Sequence, residues 1–193
     1  MVRKILAIMA VVFALFSLSS MALATGGDNL VLTLKDGEVV IKLRPDLAPK
    51  HVAQIEKLTK EGAYDNVVFH RVIPGFMAQT GDVKFGKKGG AEFNPRRAGM
   101  GGSQYADLPA EFSKVPFKRG TVGMARSQDP NSANSQFFIC FDEAPFLNGQ
   151  YTVVGEVVKG MDVVDEIKKG RTDNNGSVTD PDIIVKARIE AAK

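Results

Sequence analysis

The sequence predicts a mostly β protein, an antiparallel barrel or sandwich with two helices inserted far apart. Seven or eight short runs rich in β-branched and aromatic residues are separated by turn residues. Only two stretches carry helical periodicity, and their separation denies the regular βαβ alternation of a parallel sheet. No internal repeat and no linker-like stretch divides the chain, so a single folded domain is expected.

The first 24 residues stand apart from that domain. Arg3 and Lys4 form a short basic region, Ile5 to Phe16 is an unbroken apolar run, and Ala22-Leu23-Ala24 supplies a small-x-small cleavage pattern. A secretory signal cleaved before Thr25 is the expectation, leaving 25–193 as the mature domain. The apolar run is shorter than the roughly 20 residues of a spanning helix, and no later segment is apolar enough to span. No cysteine stands at the cleavage point to suggest a lipoprotein. The chain reads as an exported, soluble protein, periplasmic in a Gram-negative source.

Asn29 to Leu34 and Glu38 to Leu43 are alternating runs joined by Lys35-Asp36-Gly37, a hairpin signal. Pro49 then suits the first turn of a helix, Val52, Ile55 and Leu58 recur at helical spacing, and Gly62 offers a C-terminal cap. His51, on the first turn, is expected to be a surface or end-of-helix group rather than a catalyst. From Phe69 to Asp82 two apolar-rich runs flank Pro74-Gly75, a turn dipeptide. Period-2 alternation through Val67 to Val72 places Phe69 and Arg71 on one face and Val68, His70 and Val72 on the other. Met77 and Gln79 share a face of the second run.

Gly81 to Leu108 is glycine-rich and poor in apolar residues, a long loop of the kind that is often functional. Gly99 to Ser103 is no phosphate loop, because the Gly-Lys-Ser/Thr ending and the following helix are missing. Thr121 to Ala125 and Ser135 to Phe141 read as strands, the latter with Gln136 and Phe138 on one face and Phe137 and Ile139 on the other. Phe146 to Gly149 reads as a tight turn, Tyr151 to Val158 as a strand, Gly160 to Gly170 as a glycine-bounded helix, and Ile183 to Ile189 as a closing strand.

Composition narrows the function. The formal net charge is +3, and removing Arg3 and Lys4 lowers it by two, so no nucleic-acid partner is implied. Lys84, Lys87, Lys88, Arg96 and Arg97 form a local basic cluster that reads as a solvated loop rather than a phosphate site. The single cysteine, Cys140, cannot form an internal disulfide and sits in an apolar run, where it is expected to pack as a small hydrophobe. With only His51 and His70 beside it, no metal site is expected.

The run Phe69 to Asp82 resembles the signature of the cyclophilin-type peptidyl-prolyl cis-trans isomerases. The resemblance continues through Gly123-Met124-Ala125, Asn134 to Ile139, Phe146 to Gly149 and Val154-Gly155, and spans Asn29 to Glu190. It implies a closed eight-stranded antiparallel β-barrel capped by two α-helices, with the active site on the outer barrel surface. Carried over by position, it makes Arg71 the catalytic arginine with Gln79 beside it. Phe76, Met77, Phe138 and Leu147 line the pocket for the proline ring, and Gln136 with the backbone of Ala125, Arg126 and Ser127 holds the substrate chain. The sequence departs from the well-known eukaryotic pattern at three rim positions, where Arg126 replaces an asparagine, Phe146 a tryptophan and Tyr151 a histidine. Because that tryptophan is associated with cyclosporin, weak cyclosporin binding is implied.

Isomerisation about X-Pro makes and breaks no covalent bond, so no cofactor, metal or nucleophile is expected. The expected partners are proline-containing unfolded or partly folded polypeptides, and the expected state is a monomer. The competing reading is a proline-segment-binding chaperone, a holdase whose isomerase activity is incidental.

Overall fold

The computed structural model describes residues 27–192. The signal segment expected at 1–24 and its cleavage point before Thr25 lie outside them. The chain runs β1 (Asn29–Leu34), β2 (Gly37–Leu43), α1 (Pro49–Lys60), β3 (Val67–Val68), β4 (Arg71–Ile73), β5 (Met77–Thr80), β6 (Thr121–Met124), β7 (Phe137–Cys140), β8 (Val153–Lys159), α2 (Met161–Glu166), β9 (Ile183–Ile184) and β10 (Lys186–Glu190). Eight strands form one antiparallel sheet in the order β10-β1-β2-β8-β6-β7-β5-β4. A separate pair, β3-β9, joins the segment entering β4 to the segment entering β10. Among the described residues the end strands β4 and β10 are not paired with each other, so the expected closure of the eight-stranded sheet is not seen in its ladder.

The inner face of the curved sheet carries the core. Leu30, Leu32, Val39, Ile41, Val122, Phe137, Ile139 and Val154 bury here together, and α1 covers one end with Val52, Ile55 and Leu58. Burial of such side chains contributes about 2 kcal/mol each, the dominant favourable term in a fold of this size. The second helix, α2, is shorter than its glycine-bounded span suggests: Ile167 leaves helical geometry with ψ 128°, and α2 buries Val164. No helix among the described residues is long and apolar enough to cross a membrane.

Alternation fails at one place that matters. Phe69 and Arg71 do not share a face: Phe69 is fully buried beside Val72 in the core, while Arg71 is half-buried outside it. The cause is an interruption. β3 pairs with β9, the Phe69 amide then donates to the carbonyl of Asp182, and pairing of β4 with β5 begins only at Arg71. The pleat is reset between the two strands, so both Phe69 and Val72 turn inward. Across the Pro74-Gly75 turn, where Gly75 takes φ +69°, Arg71 stands opposite Gln79 and Ile73 opposite Met77.

His51 meets the expected place at a helix end but not the expected surface position. It does stand at the start of α1, but it is fully buried, with its ring Nδ1 2.6 Å from Glu111 Oε2. The helix has no side-chain cap of its own. Instead the Glu111 carboxylate accepts the backbone N–H groups of Lys50 and His51 at 3.1 to 3.2 Å, satisfying two donors left open by the helix terminus. Burial pushes the Glu111 carboxyl up, but the hydrogen bonds from the His51 ring and from the two amides together outweigh it and hold the pKa below its ordinary value.

Candidate active site

The outer face of β5, β6 and β7 carries a second, smaller apolar cluster of Met77, Phe117, Phe138, Cys140, Leu147 and Val153. Phe138 is the floor. It stacks on Phe117 at 5.7 Å and meets the Tyr151 ring edge-on at 5.9 Å. A Cβ at Gly123 would lie 2.6 Å from both Phe117 and Phe138, so the bare backbone of β6 is what lets these rings meet. Cys140 packs in the same cluster as expected, and burial pushes its thiol up to about 12.

A cavity of about 370 Å³ opens over this floor, lined by Arg71, Phe76, Met77, Ala125, Arg126, Phe138, Phe146, Leu147, Gln150 and Tyr151. Nine of the residues expected from sequence thus converge. Phe146, carried on a short 3-10 turn at Pro145–Leu147, leans on Phe76 at 5.3 Å and remains 62% exposed, so one wall of the cavity is an aromatic lip. Gln150, which sequence reasoning did not single out, adds to the wall. Its side chain donates to the carbonyl of Phe146, and its own carbonyl accepts from Arg126. The sequence signal for it was its place directly after the Phe146 to Gly149 turn.

Arg71 is one of two charged groups lining this cavity, Arg126 being the other. Its Nη1 edge faces Met77 Sδ at 3.8 Å and Gln79 Oε1 at 3.4 Å. Burial draws its pKa below the ordinary arginine value, while the Tyr151 hydroxyl acts weakly in the other direction. Guanidinium retains its proton at any physiological pH. On its other edge, Nε donates to the carbonyl of Asn175 at 3.0 Å and Nη2 to Asn175 Oδ1 at 2.9 Å. Asn175 lies 104 residues away in sequence and was not anticipated.

The remaining expected residues lie in a neighbouring, larger cavity of about 650 Å³, lined among others by Gln79, Gln136, Ser127 and the Gly99 to Gly102 loop. Ala125 and Arg126 border both cavities. Gln79 Nε2 donates to Gln136 Oε1 at 3.0 Å, and Gln136 Nε2 donates to the carbonyls of Gly99 and Gly101 at 3.0 and 2.7 Å. The polarity of this relay is fixed at both ends, since a guanidinium only donates and a carbonyl only accepts. Asp82, fully buried, anchors the far side by accepting the backbone N–H groups of Lys84, Phe85, Gly99 and Gly101. The long loop after β5 is therefore gathered at one carboxylate.

Arg126 is clamped on the rim. Its guanidinium lies 4.4 Å from the Tyr151 ring centroid and donates to the carbonyls of Ser127 and Gln150. Ser127 is exposed and shares a 2.7 Å hydrogen bond with the Ser132 hydroxyl, outside the smaller cavity. Among the described residues no cluster of three or more His, Cys, Asp or Glu is placed to hold a metal ion.

Comparison with known proteins follows the same lines. The family model for cyclophilin type peptidyl-prolyl cis-trans isomerase matches residues 30–189. A probable peptidyl-prolyl cis-trans isomerase of Brucella suis is 65% identical over 190 residues, covering 96% of this chain and 95% of that one. Peptidyl-prolyl cis-trans isomerase A of Dickeya dadantii is 36% identical over 181 residues, covering 91% and 90%. Among solved structures, a Cryptosporidium parvum cyclophilin type isomerase, crystallised in the presence of the dipeptide Ala-Pro, superposes with a TM-score of 0.72 at 28% identity. The match covers 85% of this chain and 99% of that one. The fold, the converging aromatic and arginine side chains and these matches agree, and the chain belongs to the cyclophilin-type peptidyl-prolyl cis-trans isomerase family.

Proposed function

We propose that this isomerase accelerates X-Pro isomerisation in exported polypeptides as they fold, with Arg71 stabilising the twisted prolyl amide. The observation that carries the reading is the placement of one arginine edge at the mouth of an apolar cavity floored by Phe138. Unaided, the reaction must break amide resonance over a barrier of about 18 to 20 kcal/mol. In the twisted state the proline nitrogen regains a lone pair. The Nη1 edge of Arg71 donates to it, and the same donor gains little from the planar ground state, so the interaction favours the transition state. Phe76, Met77, Phe138 and Leu147 hold the ring, and the water these side chains exclude strengthens the Arg71 hydrogen bond.

Gln79 orients Arg71 from the relay side. Gln136 and the backbone of Ala125, Arg126 and Ser127 carry the substrate chain from the proline cavity toward its larger neighbour, which shares the Ala125-Arg126 border. Arg126 and Tyr151 form the rim. The β3-β9 pair, which joins the segment entering β4 to the segment entering β10, closes the barrel in this reading. Residues 1–24 act as a cleaved signal that delivers a monomer to the periplasm, and exposed Phe146 in place of tryptophan makes cyclosporin a weak ligand.

The test compares purified mature protein with Arg71→Ala. The mature protein accelerates a proline-limited refolding reaction. The variant folds but loses at least tenfold in kcat/KM on an X-Pro peptide, since loss of about 3 kcal/mol of transition-state stabilisation amounts to about 10²-fold. Near wild-type turnover in Arg71→Ala refutes the assignment. Folding assistance that survives the loss of turnover favours the holdase.

A further inference from the structure

The geometry points to Asn175 as the positioning residue that aims Arg71 at the prolyl nitrogen. The inference rests on the catalytic reading of Arg71 and adds a residue that reading does not contain. An arginine side chain is long and rotamer-rich, and a free guanidinium on an outer barrel face would sample many directions. Asn175 removes that freedom from behind. It accepts from Nε with its backbone oxygen and from Nη2 with Oδ1, leaving the Nη1 edge toward Gln79, Met77 and the cavity.

The segment carrying Asn175 is built onto the end strand of the sheet. Ser177 bridges to Arg71, the Val72 amide donates to the carbonyl of Gly176, and the Gly170 amide donates to the carbonyl of Val72. Gly176 adopts φ +74°, and a Cβ there would collide with Ile73 Cγ1, so glycine is what allows this close seating against β4. Asn175 itself takes the left-handed conformation at φ 49° and ψ 32°, a region in which asparagine is among the best tolerated non-glycine residues. That conformation brings its carbonyl and its side-chain oxygen to the same guanidinium. Asn175 touches neither the cavity nor the relay, and its effect passes through Arg71.

Asn175→Gly keeps the left-handed backbone and the carbonyl acceptor while deleting Oδ1. Asn175→Asp keeps an acceptor at the same place. With full-length mature protein and an X-Pro peptide, Asn175→Gly is expected to lower kcat about fivefold, as loss of one charge-assisted hydrogen bond near the surface implies. KM should stay within twofold, the thermal midpoint should be little changed, and Asn175→Asp should restore at least half of the turnover. In an Arg71→Ala background the glycine substitution should have no further effect, since the group it positions is gone. Wild-type kcat in Asn175→Gly, an equal loss in Asn175→Asp, or an undiminished effect in the Arg71→Ala background each overturns the proposal while leaving Arg71 catalytic. Wild-type turnover in Arg71→Ala alone overturns the catalytic reading itself, and the positioning role with it.

Discussion

His70 gives the protein a pH dependence whose size follows from its surroundings. The imidazole is 9% exposed, and neither ring nitrogen has a hydrogen-bond partner among the described residues. It lies against Gly99, where an added Cβ would stand 2.8 Å from the ring. Burial, only partly opposed by the Asp82 carboxylate, draws its pKa from 6.5 down to about 4. In the unfolded chain His70 takes its proton near pH 6.5, whereas the folded protein holds it neutral until about pH 4. Between these values the unfolded state binds more protons, so stability falls as pH falls. The contribution is complete above pH 6.5, shrinks steadily toward pH 4 and is flat below. At about 1.4 kcal/mol per tenfold in proton affinity, the loss is about 3 kcal/mol. Replacing the ring by a non-titrating one, His70→Phe, removes this dependence, and His70→Asn serves if the larger ring does not pack. Urea unfolding followed by circular dichroism from pH 7 to pH 4 measures it. The stability of the variant relative to wild type should rise by about 3 kcal/mol over that range. Groups that do not face His70 respond alike in both proteins and cancel in the difference. Parallel curves for wild type and variant would refute the account of His70.

Two other perturbations bear on the same molecule. Phe146→Trp, which enlarges the exposed lip beside Phe76, is expected to tighten cyclosporin binding at least tenfold in isothermal titration, and unchanged affinity would refute the proposal that Phe146 weakens it. Glu111→Ala strips the start of α1 of its acceptor and leaves the His51 Nδ1 unpaired in the interior. It should lower stability by about 2 kcal/mol in urea titrations at pH 7, and a loss below about 0.5 kcal/mol would show that water or the helix itself replaces the carboxylate.

The parts of this protein that sequence makes legible are those set by neighbours in the chain. The first hairpin follows from alternation plus Lys35-Asp36-Gly37, and β1 and β2 pair in register across it from Asn29↔Lys42 to Leu34↔Gly37. Helix α1 begins at Pro49 and ends before Gly62 with φ +67°, as its punctuation indicates. Most of the smaller cavity is legible because its walls come from long contiguous motifs. Alternation misleads where strands stop and restart, between β3 and β4 and again at Val185, whose amide turns to Thr33 and splits the closing run into β9 and β10. Contacts of high sequence separation leave no local trace. Nothing near His51 announces Glu111, and nothing near Arg71 announces Asn175, because each pairing is created by the tertiary fold.

The gathering of the loop at Asp82 also has a practical side. Because one carboxylate holds amides from both Lys84-Phe85 and Gly99-Gly101, the chain between them forms an excursion whose two feet are fixed side by side. Within it Gly89, in the turn closed from the Lys87 carbonyl to the Gly90 amide, is exposed, adopts φ +81° and has open space around the position of a Cβ. Lengthening a surface loop at such a turn costs little, since closure entropy grows only logarithmically with length. A reporter or affinity peptide grafted at Gly89 would therefore ride outside the feet and leave the carbonyls that meet Gln136 where they are.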